Sequence, residues 1–154
     1  MRKSNRNMAK DFKYPGSKYD QLFRADYEHG EQEGCEDCDK GYLLPRKRRV
    51  THDPIIHYGL IGSANQVMRN AIVRDKLRQE LGLLCFEMEA AGLMNTFPCL
   101  TIRGISDYSD THKNKRWQAY AAATAAAYAK ELLMMIPASD VISMKKASEN
   151  LDMS

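Results

Sequence analysis

No stretch of this chain reaches the ~18 consecutive apolar residues of a membrane-crossing helix, and Met1-Arg2-Lys3-Ser4 leads into no apolar signal region. These two absences predict a cytoplasmic protein with no membrane partner. A strong net charge is missing too. The formal charge is +3 over 154 residues, with both signs mixed along much of the chain, so composition gives no case for nucleic acid. Cysteine is limited to positions 35, 38, 85 and 99, which without a signal region does not make a secreted disulfide framework. There is no internal repeat. What is there is enough length for one domain, able to bury roughly 68–70% of the surface its unfolded form exposes.

Cys85 and Cys99 lie in two apolar runs and read as reduced core residues. Cys35-Glu36-Asp37-Cys38 has the spacing of half a zinc site. A tetrahedral site needs two further ligands, no second C-x-x-C pair exists, and His29 and His52 are the nearby candidates. The favoured reading is an acidic loop carrying paired thiols, with no metal.

Residues 1–16 are polar and basic, end in Tyr14-Pro15-Gly16, and read as a mobile lead-in. Acids are dense from Asp26 to Asp39, and Arg46-Lys47-Arg48-Arg49 reverses the sign. That reversal reads as a solvated loop, ahead of a nuclear address or an anion-facing patch. Order is expected from Pro54. The run from Ile55 to Ile61, closed by Gly62-Ser63, predicts a buried strand. Asn65 suits an N-cap for a helix over 66–80, with Val67, Ala71 and Ile72 inward, Asp75 and Arg78 paired outside, and Gly82 closing it.

Leu83-Leu84-Cys85-Phe86 predicts a second strand, Glu89 to Asn95 a short helix, and Leu100 to Arg103, after Pro98-Cys99, a third strand. Arg116 to Met135 predicts a long alanine-rich helix with Tyr120, Thr124, Tyr128 and Leu132 on one stripe, stopped by Pro137. Residues 137–154 read as a flexible tail. Strand, helix, strand at short spacing predicts βαβ units and a mostly parallel sheet. Three strands is a small sheet for that architecture, so part of a larger one is expected to be missing.

In open α/β sheets the ligand sits outside the carboxyl ends of the strands, so residues just after each strand are placed for chemistry. Here these are Glu87, Glu89 and Asp107. Carboxylates two apart cannot share a helix face, but at a strand-to-helix corner Glu87 and Glu89 can fan towards one ligand. Met88 between them offers a flexible apolar surface for a sugar ring. Ser106 and Asp107 would bring a hydroxyl and an acid from the neighbouring strand, the acid able to protonate a leaving group where its surroundings raise its pKa. The plainer alternative makes Glu87 and Glu89 surface ion-pair partners and Asp107 a turn cap.

His57-Tyr58-Gly59-Leu60-Ile61-Gly62-Ser63, Phe86-Glu87-Met88-Glu89-Ala90-Ala91-Gly92 and Arg103-Gly104-Ile105-Ser106-Asp107 together resemble the C-terminal half of the nucleoside phosphorylase and nucleosidase family. The match covers roughly residues 12–136 and looks most like fungal versions, which are often attached to nucleotide-binding signalling modules and repeats. The resemblance implies an α/β, partial three-layer fold with residues 17–136 as the C-terminal part of the domain. It implies cleavage of a purine nucleoside or nucleotide at the N-glycosidic bond. Glu89 would accept from the ribose hydroxyls, Met88 would pack on the sugar, and Glu87 would share that turn. Asp107 would serve the base as acid with Ser106 beside it. Arg103 would hold the local charge, and Val67 and Met68 would line the base pocket. No cofactor is implied beyond phosphate as a co-substrate.

The family's N-terminal half, with its glycine-rich segment and nucleophile-binding groups, has no counterpart here, since the glycines are scattered singly. The expectation is therefore a truncated domain, inactive alone, whose partners are a small-molecule nucleoside or nucleotide and either a homo-oligomer or the missing half. The alternative expectation is a non-catalytic nucleoside-sensing or assembly module of a larger fungal signalling protein.

Overall fold

The computed structural model describes residues 10–31, 34–97 and 99–143. The strand–helix–strand unit expected from Ile55 onward forms, in shortened form. β1 runs over Leu60–Ser63, α1 over Ala71–Leu81 and β2 over Leu83–Glu87. The two strands pair in parallel with Ile61 opposite Cys85, Gly62 opposite Phe86 and Ser63 opposite Glu87. Among the described residues this is a two-stranded sheet. The general α/β character holds; a three-layer phosphorylase-like sheet is not what the described residues form.

Local chemistry explains the helix limits. Asn70, not Asn65, is the cap: its side-chain oxygen accepts from the Val73 N–H at 3.0 Å, satisfying one of the orphan donors of the first turn. At the other end Gly82 takes φ 67°, and its N–H donates to the Arg78 carbonyl at 2.9 Å. A residue without Cβ reaches that left-handed conformation freely. Ala71 is buried, but Ile72 is 62% exposed and Val67 is exposed as well. The ion pairs on α1 are Arg74 with Asp75 at 2.8 Å and Lys76 with Glu80 at 3.9 Å.

The expected strand over Leu100 to Arg103 does not form, and Pro98 lies outside the described residues. The chain at Gly104 instead runs against the helix that follows. A Cβ there would lie 1.9 Å from the Ala121 carbonyl oxygen, so this segment packs on helix backbone and makes no ladder with β2. Apolar character signals burial, whereas a strand also needs an edge to pair with. Even the burial is partial, because Leu100 is 73% exposed and Cys99 is exposed too.

α2 covers Ala90–Met94, α3 Gln118–Met134 and α4 Ala138–Ser143. In α3 the stripe of Tyr120, Thr124, Tyr128 and Leu132 is half-buried around the buried Ala121, and Pro137 separates α3 from α4. The expected tail beyond residue 143 lies outside the described residues.

The deepest burial is not in the sheet. Phe23 is fully buried, with Cys38, Asp110 and His112 close behind. Residues 17–44 build this second core by folding back on themselves: Phe23 bridges to Leu43, and the Arg24 N–H donates to the Tyr42 carbonyl at 2.9 Å. Loop 108–117 completes it. His112 stacks on Phe23 at 4.2 Å, the His29 N–H donates to Thr111 Oγ1 at 2.8 Å, and the Trp117 indole N–H donates to the Tyr19 carbonyl at 3.1 Å. Tyr14 packs edge-on to Trp117 and Tyr120. Between the two cores, residues 45–59 are exposed throughout.

Candidate functional site

The strand-to-helix corner after β2 places the first group of predicted site residues. Glu87 is buried, and its Oε2 accepts from the N–H groups of Glu89 at 2.9 Å and Ala90 at 2.8 Å. It thus caps the turn into α2, which accounts for an acid ending an apolar strand. Burial works to raise its pKa, but the nearby Ser63 hydroxyl, the two N–H groups and Arg103 outweigh it and hold the carboxyl below its ordinary value. Ser63 Oγ also accepts from the Ala91 N–H at 3.0 Å, tying β1 to the same corner. Met88 and Glu89 point out of it, and Glu89 pairs with Arg103 Nη1 at 3.0 Å.

Asp107 belongs to a separate turn. Its Oδ1 accepts from the Lys113 ammonium at 2.7 Å and from the Ser109 N–H at 2.9 Å, and its Oδ2 accepts from the Ser106 hydroxyl at 3.3 Å. Ser109, at φ 54°, occupies the left-handed region that this turn requires. Arg103 thus joins one other predicted site residue, Glu89, and Asp107 is held by its neighbour Ser106 and by Lys113. Val67 and Met68 lie in the irregular stretch before α1. One cleft of about 290 Å³ lies beside Asp20 and Arg46 and another of about 670 Å³ beside Tyr19 and Arg116. Neither is lined by Met88, Glu89 or Asp107.

A second cluster lies in the other core. One ligand atom each from His29, Cys35 and Cys38 fall within 4.8 Å of one another; His52 is elsewhere, stacked on Tyr14 at 4.7 Å. The thiols are free. Burial, with the Cys38 thiol beside it, pushes the Cys35 thiol up to about 11. His112 adjoins the cluster, its ring 5.2 Å from that of His29. Both His112 ring nitrogens are buried with no hydrogen-bond partner among the described residues, an arrangement that costs about 1–3 kcal/mol per orphaned group. Burial pushes its pKa down against the opposing pull of Asp110, whose Oδ2 is 3.6 Å from Nδ1, beyond hydrogen-bond reach.

This second cluster was half-legible. The C-x-x-C spacing flags two ligands, but nothing local in sequence says that His112, more than seventy residues on, returns to them.

One relative is a nucleotide-binding leucine-rich repeat (NLR)-like protein of Hyaloscypha variabilis. It is 46% identical to this chain over 126 residues, which is 82% of this chain and 12% of the relative. No family model matches the chain, and no solved structure matches it. The resemblance to nucleoside phosphorylases and nucleosidases is therefore overturned. The relative carries an NLR-like description, and the two-stranded sheet supplies no independent support for a purine-cleaving glycosyltransferase or hydrolase. The fungal part of the expectation agrees with the relative's source.

Proposed function

We propose that this chain is a non-catalytic assembly module of a larger NLR-like polypeptide, in which another segment pairs with the open edges of the β1–β2 sheet and covers its faces. The observation that carries this reading is the match itself: close identity across most of this chain to about one-eighth of a much longer protein. The surface supports it. Leu60 and Leu84 in the sheet and Ile55, Ile56 and Tyr58 just before it are all exposed. A two-stranded sheet is marginal by itself and gains stability from a third strand or a covering layer.

The occupant is part of the same long polypeptide, because the relative carries this segment together with the other 88% of its length. The test is co-expression of this chain with the remainder of the Hyaloscypha protein. A stable complex in which the Leu60–Ser63 and Leu83–Glu87 amides gain protection from hydrogen exchange is the expected result. An isolated chain that is a protected monomer and ignores the remainder overturns the proposal.

Cleavage chemistry is checked in parallel with adenosine and inosine. No free base is expected. Base release abolished by Asp107→Asn would replace the assembly reading with an enzymatic one, and calorimetric nucleoside binding without release would replace it with sensing.

A further inference from the structure

We propose that His29, Cys35, Cys38 and His112 form a structural zinc site that fastens the N-terminal core to loop 108–117. Zinc bonds of about 2.3 Å to sulfur and about 2.0–2.1 Å to nitrogen put neighbouring ligand atoms of a tetrahedral site roughly 3.3–3.8 Å apart. The three atoms already gathered within 4.8 Å are about one ångström short of that closure, a distance that side-chain rotation covers. Two thiolates and two imidazoles suit zinc over harder cations, which take oxygen ligands.

His112 supplies the independent sign. A buried imidazole with both nitrogens unsatisfied is an unusual thing for a protein to retain; its ring centroid is 5.2 Å from that of His29, and its backbone carbonyl oxygen is 3.9 Å from Cys35 Sγ. Asp110 stands where the outer carboxylate of a carboxylate–histidine–zinc arrangement belongs. It faces Nδ1 at 3.6 Å and is fixed in place by the His112 N–H at 2.9 Å and by Arg74 at 3.8 Å. Nε2 is then the nitrogen left for metal.

His29 has the matching asymmetry. Its Nδ1 lies 2.7 Å from the Gly30 carbonyl and its Nε2 3.0 Å from the Gly34 carbonyl. A neutral ring has one N–H to give, so one of these contacts sets a lone pair against an oxygen. Donation from Nδ1 to Gly30 fixes the tautomer and turns the Nε2 lone pair towards the Cys35 loop. The cleft of about 670 Å³ has Gly34, Cys35 and His112 in its lining and gives the ion a way in. The site binds one cation and releases the thiol protons to solvent; no redox partner is required.

The experiment uses the full chain, reduced and stripped with a chelator, then loaded with Zn²⁺ or Co²⁺. One zinc per chain by elemental analysis and, with Co²⁺, an intense thiolate-to-cobalt absorption with tetrahedral d–d bands are expected. Cys35→Ser and Cys38→Ser should each weaken the thiolate band and together abolish it, and Asp110→Asn should weaken zinc affinity about 10–100-fold. Cys85→Ser and Cys99→Ser should leave the spectrum unchanged. A reduced wild-type chain that takes up no zinc and gives no cobalt–thiolate band overturns the proposal, whatever the variants do. So does a band retained in full by Cys38→Ser. His112→Asn separates four protein ligands from three: an unchanged cobalt spectrum and zinc affinity would remove His112 from the site and with it the link to loop 108–117.

Discussion

Glu87 shows how a single side chain can be foreseen in place and misread in role. Its position after an apolar strand is visible in sequence, and so is its neighbour Glu89. What the sequence does not carry is direction: the carboxylate turns inward onto the Glu89 and Ala90 N–H groups, while Glu89 faces Arg103. Glu87→Ala is expected to lose about 1–3 kcal/mol of stability in denaturant unfolding, because two N–H donors are left facing a gap. The pH dependence has a definite sign. A carboxyl held below its unfolded value contributes stability that is fully present above roughly pH 4.3 and is lost as pH falls through the folded-state value. Thermal unfolding of Glu87→Gln between neutral and acid pH should therefore show a flatter acid limb than the parent; an identical limb would remove Glu87 as its source.

At the level of elements, α1 was legible in kind but not in its first turn. Asn65 and Asn70 are equally good caps by residue type, and only the bond from Val73 decides between them. Asn70→Ala should cost about 1 kcal/mol, and Asn65→Ala should stay within about 0.5 kcal/mol; equal losses would return the cap to Asn65. The third strand was overpredicted for a different reason. Leu100 to Arg103 has the composition of a strand, but Gly104 brings the chain onto the α3 backbone, a close approach that no local pattern announces. Gly104→Ala should destabilise the chain by about 1–3 kcal/mol by forcing that packing apart, with the loss read in the denaturant midpoint at unchanged slope. A neutral Gly104→Ala variant would show that the contact yields freely.

Taken whole, the molecule divides its burial unevenly, and that division was the least legible feature. Hydropathy favours residues from 54 onward as the ordered part, because Ile, Leu and Val concentrate there. The fully buried aromatic is nevertheless Phe23, held by His112, Tyr27 and Leu43, a set assembled from short turns and polar loops whose pairing spans most of the chain. The apolar run from Ile55 stays exposed instead, the condition that the proposed docking of another segment requires. The exposed stretch 45–59 joins the two cores and touches them at a few points only, Arg46 on Asp20, His52 on Tyr14 and Tyr58 on Tyr128, and Lys47 and Arg48 stand open within it. Trypsin should cut there first. Since Tyr19, Phe23, His29 and Glu36 on one side are gripped by Trp117, His112, Thr111 and Arg116 on the other, the nicked halves should travel as one particle through a sizing column and part only in detergent. The covalent thread between them is dispensable once folding is done.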